Sequence, residues 1–228
     1  MNKNKHSSIK KVALISTPWP LYSRPSIQLG TLKAYLNAQF ADLQVEAHHF
    51  YLKLAETVGY KLYHDISERT WLAESIYATL LFPRRFNQIQ KLFNKQAQRK
   101  SQLRQTGLKE LSNQIMGATH DFIDSLDWGV YQLVGFTVSL CQLTSALYFI
   151  KIIKQKNPKL ITVVGGSSFS GDTAKNAIKL FADIDVVITG EGELPLTRLI
   201  AYLKRNRQQK DLPAIQGVFT KNAGGAQK

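Results

Sequence analysis

The sequence predicts an α/β fold in which five parallel strands form one sheet, helices cover both of its faces, and a helical insertion interrupts the alternation. Three observations predict it. Short apolar segments alternate with segments whose apolar residues recur at helical spacing. Turn-forming Gly, Pro and Ser residues follow the apolar segments. Finally, 44% of the 228 residues are apolar and 20% are charged, which is the composition of a globular domain with a buried core.

The first three elements are a strand, a helix and a second strand. Residues 11–17 (KVALIST) form an apolar segment that stops at Pro18 and Pro20, as a buried parallel strand does when it meets a rigid loop. Residues 27–40 carry Ile, Leu and Phe at near-helical spacing and predict an amphipathic helix. Residues 44–50 (QVEAHHF) predict the second strand.

Residues 52–126 show no clear strand and keep a helical period, which predicts the helical insertion. The alternation then resumes. The predicted strands are 130–137, 160–164 and 185–189, and the predicted helices are 143–156, 172–181 with Asp172 as N-cap, and a last helix with Pro195 in its first turn. The uncharged run 128–150 is long enough to span a bilayer. Its pattern changes midway from VGFTV to LTSALYFIKII, which favours a buried strand followed by a buried helix.

The chain has 30 Lys and Arg residues against 16 Asp and Glu residues, a net charge of +14 that favours an anionic partner such as nucleic acid, an acidic peptide or a membrane surface. Residues 1–10 are basic and lack the apolar segment of a signal peptide, so we predict a disordered N-terminus and a cytoplasmic protein without a transmembrane segment. The α/β domain is expected to span residues 11–220 and to end in a flexible tail, residues 221–228.

The helical insertion contains a basic segment. Eight cations, with no acid between them, make it up: Arg84, Arg85, Lys91, Lys95, Arg99, Lys100, Arg104 and Lys109. Such a segment is most often a solvated helix face and, less often, a docking surface for an acidic peptide or a partner domain. Nucleic acid is the least favoured partner, because only Phe86 and Phe93 are available nearby for stacking on bases.

Few side chains have the spacing that catalysis or metal binding requires. The single cysteine, Cys141, excludes a disulfide framework and any Cys-based zinc or iron–sulfur cage within this chain, and we expect it to be a small buried apolar residue. The five histidines show no ligand spacing and are expected to be structural or solvated: His6, His48, His49, His64 and His120. No Ser-His-Asp or paired-carboxylate arrangement stands out, so the residues alone indicate a ligand-binding domain.

Ligands of open parallel sheets bind beyond the carboxyl ends of the strands, near the point where strand order reverses. A Rossmann-like (flavodoxin-like) order 2-1-3-4-5 brings four loops to that edge: STPWPLYSRPS, TVSLCQ, GGSSFSGD and TGEGELP. Gly165 and Gly166 allow the close approach of a ligand or of another backbone, and Ser167 offers a hydroxyl at a helix start. A plain strand-to-helix turn explains these three residues equally well.

Two absences narrow the class of ligand. No G-x-G-x-x-G follows the first strand and no P-loop motif is present, which argues against a dinucleotide or a nucleoside triphosphate. Glu191 and Glu193 suit ligand hydroxyls, but acids in the first turn of a helix are more often partners of the helix dipole.

Four segments in the same order, 11–36, 121–158, 163–171 and 185–200, carry a family resemblance. They contain KVALISTPWPLYSRPSIQLGTLKAYL, then DWGVYQLVGFTVSLCQLTSALYFIKIIKQKNP, then VVGGSSFSG and DVVITGEGELPLTRLI. Together they resemble the N-terminal cobalamin-binding domain of radical S-adenosylmethionine proteins, in particular the group that matures ribosomally made peptides. The resemblance covers most of the chain outside the helical insertion.

The resemblance implies a cobalamin site at the carboxyl edge of the sheet. The family pattern S-x-L after strand three and G-G after strand four falls here on residues 137–139 and 165–166, with 25 residues between them. The implied cofactor-binding residues are Thr17, Pro18, Trp19, Pro20, Thr137, Val138, Ser139, Leu140, Gly165, Gly166, Ser167, Gly190, Glu191 and Gly192. The family's D-x-H-x-x-G loop is missing, since STPWPLYSRPS contains no histidine, which implies base-off cobalamin without a protein imidazole on cobalt.

Two residues of this set lead to specific expectations. Trp19 either lies near the corrin ring or anchors the core, and the sequence leaves both interpretations open. If the nucleotide tail of cobalamin threads past Gly166, then Gly166→Val should block binding and leave the fold intact.

Members of this family continue into a barrel with a C-x-x-x-C-x-x-C iron–sulfur motif, which this chain lacks. We therefore expect a separated or stand-alone corrinoid-binding module of a peptide methyltransferase, not catalytic alone, with no cluster of its own. Its expected partners are cobalamin, a radical S-adenosylmethionine barrel domain in cis or in trans, and an acidic precursor peptide. The alternative is an accessory protein that has lost the cofactor and uses its basic surface to bind an acidic peptide, a partner protein or nucleic acid.

Overall fold

The computed structural model describes residues 9–97, 101–205 and 215–221. One sheet organises them. Its strands are β1 (Lys11–Ser16), β2 (Gln44–His49), β3 (Leu133–Thr137), β4 (Ile161–Gly165), β5 (Val186–Ile188) and β6 (Val218–Thr220). The helices are α1 (Ile27–Gln39), α2 (Phe50–Val58), α3 (Tyr60–Ser67), α4 (Thr70–Leu81), α5 (Phe86–Ala97), α6 (Ser101–Thr106), α7 (Leu108–Asp124), α8 (Leu143–Lys156), α9 (Asp172–Leu180) and α10 (Glu193–Arg205), with a 3₁₀ turn at Pro83–Arg85.

The strand order is β2-β1-β3-β4-β5-β6. Strands β1 to β5 are parallel, which confirms the Rossmann-like α/β prediction, and the register places Leu14 beside Gly135 and Gly135 beside Val163. The sixth strand, β6, pairs antiparallel with β5 and was not predicted. Because β6 has three residues, it is too short to show a period in the sequence.

Both faces of the sheet are covered, which explains why its strands are almost continuously apolar. Val12 and Leu14 belong to a core shared with α1 and α10. Ala13 and Ile15, which point to the opposite face, belong to a larger core shared with α8, α9 and the helical insertion. The strand order reverses between β1 and β3, so the loops that follow these two strands flank the point where such sheets bind ligands.

The insertion between β2 and β3 consists of helices α2 to α7 and the 3₁₀ turn, as predicted. Helix α4 is the centre of the insertion and packs against α5, α7 and α8. Its buried Tyr77 hydroxyl lies 2.9 Å from the Thr119 hydroxyl of α7. Burial raises the pKa of Tyr77, so its side chain is a neutral hydrogen-bonding group. The insertion is therefore part of the main core.

Several element ends differ from the prediction. Gly171, at φ +51°, occupies the N-cap of α9, so Asp172 is the first helical residue and makes no capping hydrogen bond. Helix α10 begins at Glu193 and keeps Pro195 in its first turn, as predicted. Ile9, which we assigned to the basic N-terminal segment, is buried beside α10 and its carbonyl accepts a hydrogen bond from Lys204.

Residues 128–150 divide between β3 and α8, as the change of pattern predicted. Among the helices of the described ranges, none combines the length and the apolar character that crossing a bilayer requires. Residues 1–8 and 222–228, expected to be a disordered N-terminus and a flexible tail, lie outside the described residues.

A cluster of one ion pair and one tyrosine links β1, β2 and the segment just before β3 at the amino edge of the sheet. Glu46 of β2 forms an ion pair with Lys11 of β1 at 2.7 Å and accepts a hydrogen bond from the Tyr131 hydroxyl, just before β3. The Lys11 ammonium lies 4.8 Å from the centre of the Tyr131 ring. The hydrogen bond from Lys11 is the main cause that holds the pKa of Glu46 below its ordinary value, and the bond from Tyr131 adds to it.

We predict that Glu46→Gln lowers the free energy of unfolding by about 1–2 kcal/mol at pH 7, because a charge-assisted hydrogen bond is lost. A lowered pKa in the folded state stabilises the fold above the ordinary carboxyl pKa, and this contribution is lost as pH falls through the folded-state pKa. Urea unfolding at pH 7 and near pH 3 should therefore show the difference between variant and wild type shrinking in acid. Glu56→Gln, at an exposed position of α2, is the matched control and should change little at either pH.

Candidate functional site

A cavity of about 440 Å³ opens at the carboxyl edge of the sheet. Its floor is formed by the ends of β3, β4 and β5, and its walls by α1 on one side and the β5–α10 loop on the other. Apolar side chains line its depth, including Leu14, Val163 and Ile188, whereas polar groups lie in the loops at its mouth. This combination of apolar depth and few polar groups is typical of small-molecule sites.

Two strand glycines lie in the floor, where neighbouring atoms approach their backbone closely. A Cβ atom on Gly135 would lie 2.9 Å from the Leu14 Cδ2 atom, and Leu14 itself lines the cavity. A Cβ atom on Gly165 would lie 3.3 Å from the Ile188 carbonyl oxygen. Because neither residue carries a side chain, the cavity reaches down to the backbone of β3 and β4.

Gly166 holds two loops against each other. It adopts φ +113°, and a Cβ atom there would lie 2.4 Å from the Val138 carbonyl oxygen. The same carbonyl accepts a hydrogen bond from Ser168 N at 3.2 Å, and Val138 N donates to the Gly165 carbonyl at 2.7 Å. The expectation that Gly166→Val leaves the fold intact is therefore wrong, since the added atoms would meet backbone at a left-handed position.

Gln142 joins the loops that follow β1 and β3. Its buried side chain accepts hydrogen bonds from the Ser139 backbone N at 3.1 Å and the Ser139 hydroxyl at 2.8 Å. Its amide nitrogen donates to the Thr17 carbonyl at 2.6 Å. The sequence analysis did not select Gln142, because its partners at Ser16 and Thr17 lie more than 120 positions away in the chain. It fixes the orientation of Ser139, which lines the cavity.

Glu74 of the insertion caps helix α8, which follows the β3 loop. Its two carboxylate oxygens accept hydrogen bonds from Leu143 N at 3.0 Å and Thr144 N at 2.8 Å, and the Thr144 hydroxyl donates to it at 2.6 Å. A carboxylate at this position satisfies amide groups that have no partner within the helix and also interacts favourably with the helix dipole. The sequence gave no sign of this role, since Glu74 and α8 are 69 or 70 positions apart.

Most of the residues implied by the resemblance meet at the cavity. Its lining includes Thr137, Val138, Ser139, Gly165, Gly166, Ser167, Gly190, Glu191 and Gly192. Leu140 follows the lining residue Ser139 and is 76% exposed, on the rim rather than inside. The sequence analysis missed the wall formed by α1, where Gln28, Thr31 and Leu32 line the cavity. Ile27, an apolar residue at the start of α1, also lines the cavity, and its 75% exposure marks this wall in the structure.

The four selected residues of the β1 loop lie elsewhere. Thr17, Pro18 and Trp19 are buried and do not line the cavity. The Trp19 indole donates to the Ala73 carbonyl at 3.1 Å, and its ring centre lies 5.0 Å from that of Tyr63. Of the two interpretations of Trp19, the structure therefore supports the one in which it anchors the core. The Pro20 carbonyl likewise accepts from the Tyr63 hydroxyl, at 2.8 Å, so this loop is fastened to the insertion.

The charge at the cavity mouth is negative. Glu191 and Glu193 are among the lining residues, whereas no lysine, arginine or histidine is, in the part of the chain that the structure describes. A polyphosphate would meet carboxylates with no compensating cation, which agrees with the absence of nucleotide-binding motifs. The cavity therefore suits a ligand part that is neutral and bears hydroxyl or amide groups.

His48, His49, His120 and Cys141 have structural environments, whereas His64 is exposed and its Nδ1 atom lies 3.7 Å from a Glu68 carboxylate oxygen. Burial lowers the pKa of both His48 and His49. His120 Nε2 lies 2.9 Å from the Tyr148 hydroxyl. Cys141 is buried as predicted, its Sγ atom lies 3.5 Å from the Thr70 hydroxyl, and burial raises the pKa of the thiol. His6 lies outside the described residues.

Comparison with protein-family models and with curated proteins finds no match for this chain.

We predict that Glu74→Ala lowers the free energy of unfolding by about 1–2 kcal/mol, because the N-terminus of α8 loses its cap. The effect on local hydrogen exchange is larger than the effect on global stability, because the amides of Leu143 and Thr144 lose their hydrogen-bond acceptor and become free to exchange. Hydrogen exchange followed by mass spectrometry should show faster deuteration in peptides covering residues 137–147 and unchanged deuteration in peptides covering 186–196. Equal protection of residues 137–147 in both proteins would contradict the assignment of Glu74 as the cap.

Proposed function

We propose that this chain is a corrinoid-binding module that holds cobalamin at the carboxyl edge of its sheet. The observation that supports this most directly is the cavity floored by Gly135 and Gly165 at that edge. The family resemblance of residues 137–139 and 165–166, made from sequence alone, concerns loops that line the same cavity.

The residues present fit the cofactor. A corrinoid with its nucleotide tail needs a slot for the tail and an open edge for the much larger macrocycle. A cavity of about 440 Å³ has room for the base and ribose of the tail, whereas the anionic phosphodiester and the macrocycle would lie at the open edge. Ser139 and Ser167 offer hydroxyl groups, and Glu191 offers a carboxylate, to the sugar hydroxyls and amides of such a ligand.

We assign a binding role, not a catalytic one, to the side chains of this chain. Bound cobalamin would supply a methyl-carrying cobalt, and the chemistry of methyl transfer would come from a radical S-adenosylmethionine barrel domain, in cis or in trans. The single cysteine cannot ligate an iron–sulfur cluster. Together, this chain and the barrel domain would form a peptide methyltransferase, in which this chain positions the cofactor and shields it from water.

The surroundings of the cavity favour base-off binding without a protein imidazole. None of the histidines in the described ranges lines the cavity, and Trp19 is packed in the core. A histidine at position 19 would have to leave that core to reach a ligand. Trp19→His therefore measures core stability rather than cobalt coordination.

The first test is absorbance. We expect wild-type protein mixed with hydroxocobalamin and desalted to retain nearly one corrinoid per chain. Thr31→Trp places a large ring on the cavity side of α1 and should reduce the retained corrinoid roughly tenfold by occupying the slot. Asn37→Trp makes a comparable change at an exposed position of α1 that does not line the cavity, and should retain wild-type binding.

Circular dichroism of both variants checks that α1 and the sheet remain folded. A colourless wild-type protein after desalting would overturn the proposal. Equal retention by Thr31→Trp and Asn37→Trp would show that corrinoid binds away from the cavity.

The second test concerns cobalt. Bound corrinoid reduced to the cob(II)alamin state should give an electron paramagnetic resonance spectrum without nitrogen splitting, because neither a protein imidazole nor the cofactor's own base reaches the metal. Splitting that disappears in a double variant, His48→Phe with His49→Phe, would identify a protein ligand. Splitting that persists in this variant would come from the cofactor's base or another histidine. Either result would refute base-off binding without a protein imidazole.

A further inference from the structure

Helix α5 has two opposite faces. Phe93 and Ala97 are buried, and Phe86 and Ile89 pack against the core. The other face carries a row of exposed polar side chains at spacings of three and four residues, Gln88, Lys91 and Lys95, and the exposed Arg84 lies in the 3₁₀ turn just before the helix. Because these spacings follow the helical period, the row forms one continuous stripe that points away from the protein.

Among the described residues, the cations of this stripe and of the preceding 3₁₀ turn have no acidic partner. The sequence has no acid from residue 75 to residue 109. Among the ion pairs of the described residues, none involves Arg84, Arg85, Lys91 or Lys95. The Arg85 guanidinium donates to the neutral side chain of Gln88 at 3.1 Å. Like charges four residues apart, as at Lys91 and Lys95, destabilise a helix, so folding alone gives no reason for this arrangement.

Exposed apolar side chains border the stripe. Leu92 of α5 is 37% exposed, and Phe82, just before the 3₁₀ turn, is 49% exposed. At the other end of α5, Arg69 donates to the Gln96 carbonyl at 2.7 Å and so brings the start of α4 beside the end of α5. Trp71, on the first turn of α4, is 63% exposed. The α4–α5 hairpin thus combines unpaired cations with apolar side chains on its outer surface.

We infer that the outer surface of the α4–α5 hairpin binds an acidic polypeptide in which carboxylates are interspersed with apolar side chains. Cations four residues apart on a helix are separated by about 6 Å along its axis. Alternate side chains of an extended peptide recur about every 6.6 Å. Carboxylates on alternate residues of an extended peptide therefore match the spacing of Lys91 and Lys95. Apolar side chains farther along the same face of the peptide have Leu92 and Phe82 within the same surface.

Two other anionic partners fit the surface less well. A lipid surface would need an apolar helix face to insert, and the apolar face of α5 is buried in the core. Single-stranded nucleic acid would need aromatic rings between the cations, but on α5 Phe93 is buried and Phe86 is half-buried, and the exposed rings of Phe82 and Trp71 lie outside α5. The inference does not depend on the cavity and holds whether or not the cavity binds a corrinoid.

The experiment uses a fluorescein-labelled peptide of twelve residues with Glu at every second position and Leu, Ala and Ser between them. Fluorescence anisotropy with the full chain should show saturable binding. Lys91→Glu with Lys95→Glu should weaken it by roughly tenfold or more, because two attractive contacts become repulsive. The matched control is Lys175→Glu with Lys179→Glu, an exposed pair four residues apart on α9 that makes the same change in net charge.

The control should weaken binding less than twofold. An equal loss in both double variants would mean attraction to net charge alone and would overturn the inference, as would an absence of binding to the wild type. Twelve-residue oligothymidylate and vesicles containing phosphatidylserine are the competing probes. Tighter binding of either probe, lost in the α5 variant, would overturn the choice of a polypeptide. Retained folding of both double variants is checked by circular dichroism.

Discussion

The carboxylate of Glu74 at the N-terminus of α8 is the contact on which the geometry of the candidate site depends. The first amides of a helix have no partner within it, and buried polar groups without partners are costly. Glu74 satisfies the amides of Leu143 and Thr144 from a different part of the chain. The β3 loop ends at this helix, so the loop can have one conformation only if the cap holds. The insertion, which looks peripheral in the sequence, thus holds the β3 loop, whose residues line the cavity.

Further hydrogen bonds and a close backbone contact fix the loops that neighbour this helix. Gln142, directly before α8, fixes Ser139 on one side and the Thr17 carbonyl on the other. Gly166 then lets the β4 loop approach Val138 so closely that a side chain cannot be accommodated. The loops are therefore a preorganised frame, held by buried hydrogen bonds and a backbone contact rather than by a ligand. A preorganised site costs less conformational entropy when a ligand binds.

The sequence predicted what depends on local pattern. Buried parallel strands show as apolar segments, so β1, β3 and β4 were found, and the glycines after β4 marked the correct edge. It failed where the deciding partner is distant in the chain. Nothing near Trp19 indicates that its indole will donate to the Ala73 carbonyl, 54 positions away, and nothing near Glu74 indicates a helix N-terminus. Such residues have ordinary neighbours, and only the packing of the insertion reveals their roles.

The distribution of charge resolves what the net charge left open. A value of +14 favours an anionic partner, yet the cavity mouth carries Glu191 and Glu193 and no cation among its described lining residues. Lys91 and Lys95, on the outer face of α5, form no ion pair with another described residue. Coulombic attraction between exposed charges is screened within about 10 Å at ordinary ionic strength, so cations and cavity attract ligands separately. The excess positive charge of this chain therefore belongs to its outer surface, and the cavity is built for a ligand part that brings hydroxyls and amides rather than charge.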